Sequence, residues 1–410
     1  MQIPLHRPFW GKKEEKAVVE AIRTTSGVGD GPYGLRLREK LKKLTGARFV
    51  LPVTSCTHGM EMAIAALGVK AGDEVIIPSF TLSSTALGFT NRGAKPVFAD
   101  IDPHTYCLDP DEVEKAITKR TRGIMVVHYA GMAHKIEKIL GLAKKYHLWV
   151  VEDAAHCIGS YYHSSTNNES VRIYESKQPN NHSYIRHSIR NSLIHQGQHL
   201  GTFGDAGAFS FHGTKNIACG EGGAVVTNDG KLADKMEIYR AMGTNRPDFL
   251  RGKASLYHWV GQGTSAMLSD ILAALLLPQL DQITKNTKLR CQIASFYHKL
   301  FQPYTDFMQL PIVPPGVSPN WHIYALKFRS VGLRKQFIRQ MRKAGIEVST
   351  HFVPLHTSPM GLRWGGGKRK LPVTEEVAET LVRMPIYAGL TEKELKYIAL
   401  TARRVLERIK

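Results

Sequence analysis

Cysteine is scarce in this chain and shows no pattern. Five occur, at Cys56, Cys107, Cys157, Cys219 and Cys291, with no CxxC pair and an odd total. That excludes a disulfide framework or a cysteine-based zinc site as the organising principle, and points to a reducing compartment. Long apolar runs are missing as well. Ile271–Leu277 is far too short to span a membrane, and Pro278 closes the run. Met1-Gln2-Ile3-Pro4-Leu5-His6 lacks the basic start and apolar stretch of a secretory signal, so a soluble, cytoplasmic protein is expected. Acidic residues are outnumbered, 35 against 55 Lys and Arg, which leaves a formal charge of +20. Binding of nucleic acid or a membrane surface would require those charges to cluster. They are spread instead, and Lys12-Lys13 and Lys368-Arg369-Lys370 are the densest runs. The expectation is a basic enzyme surface serving anionic ligands, with neither nucleic acid nor membrane as partner.

What is present is enough for a large core: 410 residues, 43% of them hydrophobic. The length predicts one large unit and a smaller one. Amphipathic helices are expected over 14–24 and 35–44, flanking a glycine-rich loop from Ser26 to Gly34. From 49 to 228 short apolar runs alternate with helical segments. Strands are expected at Phe49–Val53, Glu74–Pro78, Pro96–Asp100, Gly123–Val127 and Leu148–Val151, then at 208–212 and 223–227. Helices are expected between the first five, at 57–68, 83–92, 109–118 and 135–146. This alternation predicts an α/β protein with a large, mostly parallel, doubly wound sheet. Ligands of such sheets sit at the carboxyl ends of the strands.

Residues 161–199 break the rhythm, being rich in Ser, Asn, His and Gln, and read as an inserted surface loop. Its histidines at 163, 182, 187, 195 and 199 lack ligand spacing, so no metal site is expected. A helical stretch over 267–304 with a break near Pro278 follows. A strand at Ile323–Phe328, a helix at 334–344, a strand at Glu347–His351 and a last helix at 392–408 complete a smaller α+β domain. The expected division is a large domain over 1–265, and a helical connection with the small C-terminal domain over 266–410.

Three strand ends carry complementary chemistry. Thr54-Ser55-Cys56-Thr57-His58-Gly59 places hydroxyl and small residues at a helix start, where free N–H groups and the helix dipole favour an anion; an ordinary N-cap looks the same. Val150-Val151-Glu152-Asp153 puts a carboxylate at the ligand end of a buried strand. There it serves either as an N-cap or as the partner of a protonated ring nitrogen. Phe209-Ser210-Phe211-His212-Gly213-Thr214-Lys215-Asn216, followed by Gly220-Glu221-Gly222-Gly223, offers a lysine beside a hydroxyl and a glycine turn. A lone lysine after a strand is usually a solvated charge. One that follows a phosphate cradle and a ring-nitrogen acid in this order can form a Schiff base.

These stretches resemble the DegT/DnrJ/StrS family of sugar aminotransferases over about 2–160 and 200–405. SCT at 55–57, GDEVIIPSFT at 72–81, VHYAG at 127–131, VVEDAAH at 150–156, SFHGTKN at 210–216 and GEGGA at 220–224 carry the likeness. GTNR at 243–246, LSD at 268–270 and VPLH at 353–356 add to it. The resemblance implies the type I, aspartate-aminotransferase-like fold and the cofactor pyridoxal 5'-phosphate (PLP). It implies that Lys215 holds the cofactor and moves the proton, and that Asp153 pairs with the pyridine nitrogen. Cys56, Thr57 and Ser210 would hold the phosphate. Ser265 would approach the phosphate of a partner subunit, so a homodimer with shared sites is implied. The loop at Gly27–Gly34 and the region 243–251 fall where relatives place the nucleotide-sugar. Two positions depart from the family: His156 replaces a usual Gln near the ring, and Leu82 replaces a stacking aromatic. Imidazole titrates near neutrality, so His156 is expected to colour the pH profile. The implied reaction passes an amino group from glutamate to a dTDP-linked 4-keto-6-deoxyhexose. The alternatives are a 3-keto substrate, or a non-catalytic regulator or nucleic-acid binder of the same fold. Retention of Lys215 argues against the regulator, and against the 3-dehydratase relatives, in which His replaces that lysine.

Overall fold

The computed structural model describes residues 1–163 and 197–409. Most of the expected insertion, including His182, His187 and His195, therefore lies outside the described residues.

The chain opens with helices α1 (Lys12–Thr24) and α2 (Pro32–Thr45). Glu14 accepts from the N–H of Gly11 (2.9 Å) to start α1. Pro32 occupies the first position of α2, so the glycine-rich loop is shorter than expected, and Gly46 ends that helix in the left-handed region at φ 73°. Then come β1 (Phe49–Val53), α3 (Cys56–Ala66), β2 (Glu74–Pro78), α4 (Ser84–Thr90), β3 (Lys95–Ala99), α5 (Pro110–Ala116), β4 (Thr121–Val127), α6 (Ile136–Tyr146) and β5 (Trp149–Asp153). Strands β6 (Tyr161–Tyr162), β7 (Gln198–His199), β8 (Ala206–Ser210) and β9 (Gly223–Thr227) follow.

Seven strands form one sheet in the order β1-β9-β8-β5-β4-β2-β3. The pairs β2–β3, β2–β4, β4–β5 and β5–β8 are parallel, while β9 runs against both β8 and β1. Six strands therefore point the same way, as the alternation predicted. Their carboxyl ends bring Ser55, Ser79, Asp153 and Ser210 to one edge. The interior strands read as continuous apolar runs because helices cover both faces; Val75, Ile76, Ile77, Ile124 and Met125 are fully buried.

The remaining elements correct three expectations. The ends of the 161–199 segment are not irregular, because β6 pairs with β7 and with β11 (Val317–Ser318). His199 is buried and accepts from the N–H of Gly159 (2.9 Å), which fixes the return of the chain. Pro278 does not break its helix: Asp270–Asp281 runs through it, and Gln282 separates it from the helix Ile283–Phe301. Ala274, Leu276, Gln279 and Leu280 are buried on both sides of Pro278. That packing outweighs one lost backbone bond, and the side-chain amide of Gln279 donates to the carbonyl of Leu275 (3.0 Å). Glu347–His351 is not a strand; Ser349 and Arg383 make a single bridge. The second sheet is instead β10 (Met308–Gln309), β12 (Tyr324–Phe328) and β13 (Leu381–Met384), in the order β10-β12-β13. Helix Val331–Lys343 packs on this sheet and helix Glu392–Ile409 packs against that helix, with Phe337, Met341, Ile398 and Ala402 buried in one core.

Candidate active site

One cavity of about 630 Å³ opens at the carboxyl ends of β1, β5 and β8. Cys56, Thr57, Leu82, Asp153, His156, Ser210 and Lys215 all line it. Ser265 does not: it is exposed on the segment that bridges to Ala241, away from the cavity of its own chain.

The cradle comes from β1 and α3. Ser55 caps α3 by accepting from the N–H of His58 (3.1 Å), so the first-turn N–H groups of Cys56 and Thr57 have no intrahelical acceptor. A Cβ on Gly223 would stand 2.5 Å from the Cys56 nitrogen, so glycine is required where β9 passes the helix start. The Cys56 thiol donates to the carbonyl of Ala208 (3.3 Å). Burial, with Asp153 nearby, pushes its pKa well up, so Cys56 offers its backbone to the cavity and not a thiolate.

Asp153 ends β5 and is 6% exposed. Its Oδ2 accepts from the Thr85 hydroxyl (2.7 Å), which in turn shares a 2.7 Å bond with the Thr81 hydroxyl. Its Oδ1 accepts from the N–H of Ala155 (3.2 Å). Neighbouring Glu152 is fully buried. It accepts from His128 Nε2 (2.6 Å) and from the N–H groups of Gly201 (2.8 Å), Phe203 (2.7 Å) and Gly204 (2.7 Å). Burial alone would raise its pKa; His128 and the backbone donors outweigh that and hold it below the usual carboxylate range.

Lys215 lies in the turn after β8. The turn is closed by Gly213 N–H donating to Gly220 O (2.7 Å) and Lys215 N–H donating to His212 O (2.8 Å). Gly220 adopts φ 89°, a conformation glycine reaches without strain. Burial lowers the pKa of the Lys215 amine, against the opposing pull of Cys56 and Asp153. More of the amine is thus unprotonated at neutral pH than on an exposed lysine.

His156 Nδ1 accepts from the N–H of Ala130 (3.2 Å), which leaves the ring proton on Nε2. Its ring centroid lies 4.4 Å from that of His322, whose Nδ1 bonds Asn216 Oδ1 (2.8 Å). His351 Nδ1 bonds the Tyr129 hydroxyl (2.9 Å). Burial lowers the pKa of all three well below the ordinary histidine value. This corrects the expectation that His156 titrates near neutrality, because the buried ring stays neutral there. No group of His, Cys, Asp or Glu among the described residues could hold a metal ion. His322, His351 and Arg383 also line the cavity, and the sequence reading missed them. Their only sequence signal was polarity inside an otherwise apolar strand or turn.

Leu82 stands at the mouth, 57% exposed. The Gly27–Gly34 loop and residues 243–251 do not line this cavity. The loop is braced instead: Asp30 forks onto Arg240 (2.9 and 2.6 Å), and Asp270 accepts from the N–H groups of Tyr33 (3.3 Å) and Gly34 (2.7 Å). A Cβ on Gly31 would meet Asp270 Oδ2 at 2.2 Å, so that glycine serves packing.

A parallel sheet with a capped helix start, a held acid and a lysine at one edge defines an enzyme site of the group-transfer kind. The chain belongs to the DegT/DnrJ/EryC1/StrS aminotransferase family, whose model matches residues 10–403. It is 32% identical to protein MJ1066 of Methanocaldococcus jannaschii, over 96% of this chain and 95% of that one. It is 30% identical to the spore coat polysaccharide biosynthesis protein SpsC of Bacillus subtilis, over 99% and 97%. Among solved structures, Spr1654 of Streptococcus pneumoniae, determined in PLP and PMP forms, superposes with a TM-score of 0.84. That match has 24% identity and covers 100% of each chain. The chain is therefore an aminotransferase by family, with the aminotransferase fold.

Proposed function

We propose that this enzyme is PLP-dependent and moves an amino group from glutamate to C4 of a dTDP-linked 4-keto-6-deoxyhexose, giving a 4-amino-4,6-dideoxy sugar nucleotide. The convergence of Lys215, Asp153 and the α3 cradle in one cavity carries this reading. The residues fit the cofactor. Cys56 and Thr57 N–H with the Ser210 hydroxyl would hold its phosphate, Asp153 its ring nitrogen and Lys215 its aldehyde, while Leu82 and His156 would contact the ring. When bound, the cofactor supplies an electron sink and carries nitrogen between the two substrates. The Lys215 amine takes the proton from the donor's Cα and later delivers one to C4 of the sugar. Asp153, held by Thr85 and the Ala155 N–H, keeps its carboxylate oriented at the ring nitrogen. His156 donates from Nε2.

Membership of the family and the polysaccharide role of SpsC support a surface-glycan sugar as substrate. We also infer a homodimer in which Ser265 completes the neighbouring cradle. The exposed apolar side chains Met242, Leu256, Tyr257, Trp259 and Val260, near that serine in the chain, support the inference.

The test is spectroscopic. PLP-soaked enzyme should gain a visible band that glutamate bleaches and a 4-keto sugar nucleotide restores. Lys215→Ala should bind PLP without covalent attachment and lose at least about 10³-fold in turnover. A variant with normal turnover would refute the assignment of Lys215.

A further inference from the structure

Lys215 stands in a turn whose two limbs are held unequally. After the lysine the chain is well anchored. Asn216 donates to the carbonyl of Asn320 (3.3 Å) and bonds His322 Nδ1 (2.8 Å), and Ala218 exchanges two bonds with the side-chain amide of Gln279 (3.0 and 2.5 Å). Before the lysine the backbone is tied to its own hairpin, Phe211 to Gly222 and Gly213 to Gly220. One bond comes from elsewhere: the carbonyl of Gly213 accepts from His6 Nε2 at 2.6 Å. Among the described residues no other hydrogen bond reaches 211–215 from outside 210–222.

His6 is half-buried, and with Leu5 it lines the cavity. A carbonyl only accepts, so the ring must carry a proton on Nε2. Burial outweighs the bond to Gly213 and, with Arg290, Lys215 and His212 nearby, brings the pKa of His6 to about 4. Near neutrality the ring therefore has a single proton, and the Gly213 carbonyl claims it. The segment that carries His6 is fixed far from the turn. Ile3 is buried; it donates to the carbonyl of Gly345 (2.8 Å) and accepts from the N–H of Glu347 (2.9 Å). The N–H of Leu5 donates to Glu347 Oε2 (3.0 Å). Gly345 adopts φ 78°, and a Cβ there would meet the Met1 carbonyl at 2.3 Å, so this close approach requires glycine. Beyond His6, Trp10 Nε1 donates to the carbonyl of Ala218 (3.2 Å), on the other limb of the turn. Residues 3–10 thus run from the end of the helix Val331–Lys343 to both limbs of the turn that bears Lys215. Misplacing a reacting group by a fraction of its contact distance costs rate more than binding.

We infer that His6 is a positioning residue for Lys215: through the Gly213 carbonyl it passes the placement of residues 345–347 to the turn, so that the amine is presented at one place in the cavity. This rests on the aminotransferase reading above. The test uses the full chain, with and without PLP. In cofactor-free protein, His6→Phe should speed hydrogen exchange of the 211–215 amides about 10-fold and leave those of 216–222 near wild type. After PLP loading, the maximal rate of bleaching by glutamate should fall about 10-fold, while the glutamate concentration at half that rate stays within about twofold of wild type. His6→Gln keeps a donor near the place of Nε2 and should restore both. Ile3→Asp leaves His6 in the chain but breaks the distant anchor, and should loosen the same amides. Wild-type exchange and rate in His6→Phe overturn the assignment, as does a loss that His6→Gln fails to restore, which marks packing and not a donor. Wild-type exchange in Ile3→Asp overturns the link to 345–347. Failure of every amino acid to bleach the wild type would overturn the parent reading instead; the exchange measurements need no cofactor and still decide the role of His6.

Discussion

Replacing Glu152 with glutamine changes one atom, and its cost can be worked from four hydrogen bonds. Oε1 accepts from Phe203 and Gly204 N–H, and Oε2 accepts from Gly201 N–H and His128 Nε2. A glutamine keeps one oxygen and turns an NH₂ towards two donors. If the NH₂ faces Phe203 and Gly204, two buried amides lose their acceptor. If it faces His128 and Gly201, His128 can move its proton to Nδ1, which is already without a partner in the wild type, and the Gly201 amide is the one newly orphaned group. The second arrangement is cheaper: one orphan at about 1–3 kcal/mol, plus the lost strengthening of the remaining bonds by the carboxylate charge. The expected total is about 3 kcal/mol. At about 2.1 cal/mol/K per residue, a 410-residue chain unfolding as a unit would lose about 3–4 °C in thermal midpoint. Hydrogen exchange followed by mass spectrometry should show the 200–205 peptide opening first in Glu152→Gln. A midpoint within about 1 °C of wild type, with those amides still protected, would refute the clamp.

Thr85→Val removes the donor to Asp153 Oδ2 at nearly constant volume and should weaken PLP about 3- to 10-fold; cofactor titration checks this, and Thr85→Ser should restore it. Acid should destabilise the cofactor-free protein. Burial depresses the pKa of His156, His322 and His351, and brings His6 to about 4, so below 6.5 the unfolded chain takes up protons that the folded chain refuses. Stability is therefore fully present above about pH 7 and falls as pH drops, by up to about 1.4 kcal/mol per unit for each such histidine, as urea midpoints between pH 7.5 and 5 would show. Asp30→Ala strands Arg240, which is 3% exposed and keeps only the Pro52 carbonyl (2.9 Å), and should cost about 3–5 kcal/mol in chemical denaturation.

The sheet and three parts of the site were legible because each is local. A β-branched run, a turn and a helix start within a dozen residues announce themselves, and Ser55–Thr57, Glu152–His156 and Ser210–Lys215 all take that form. What escaped is assembled from afar. Thr85 acts through a hydroxyl four residues from Thr81, a spacing shared by many buried threonines. His322, His351 and Arg383 enter from three separate segments around β12 and β13, and nothing in their neighbours says that they face one cavity. The same distance defeated the 347–351 strand: its alternation was real, but only Ser349 bridges Arg383 on β13, and one bridge makes no strand. Pro278 misled for another reason. Local sequence prices the lost hydrogen bond and not the burial on either side of it.

Glu152 and Asp153 show why two acids stand side by side at the end of β5. Successive side chains of a strand point to opposite faces. Asp153 turns to the face of α4 and the cavity, where Thr85 holds it. Glu152 turns to the other, where His128 and the Gly201–Gly204 turn close over it. Each carboxylate is thus fixed by donors that the other does not reach. Moving the acid by one residue would exchange the two faces and leave the cavity without its carboxylate and the turn without its clamp. The clamp also decides where the chain returns after β7. Gly201, Phe203 and Gly204 are bound to the residue next to Asp153, so the stretch that leads from β7 into β8 is tied to the strand that carries the site.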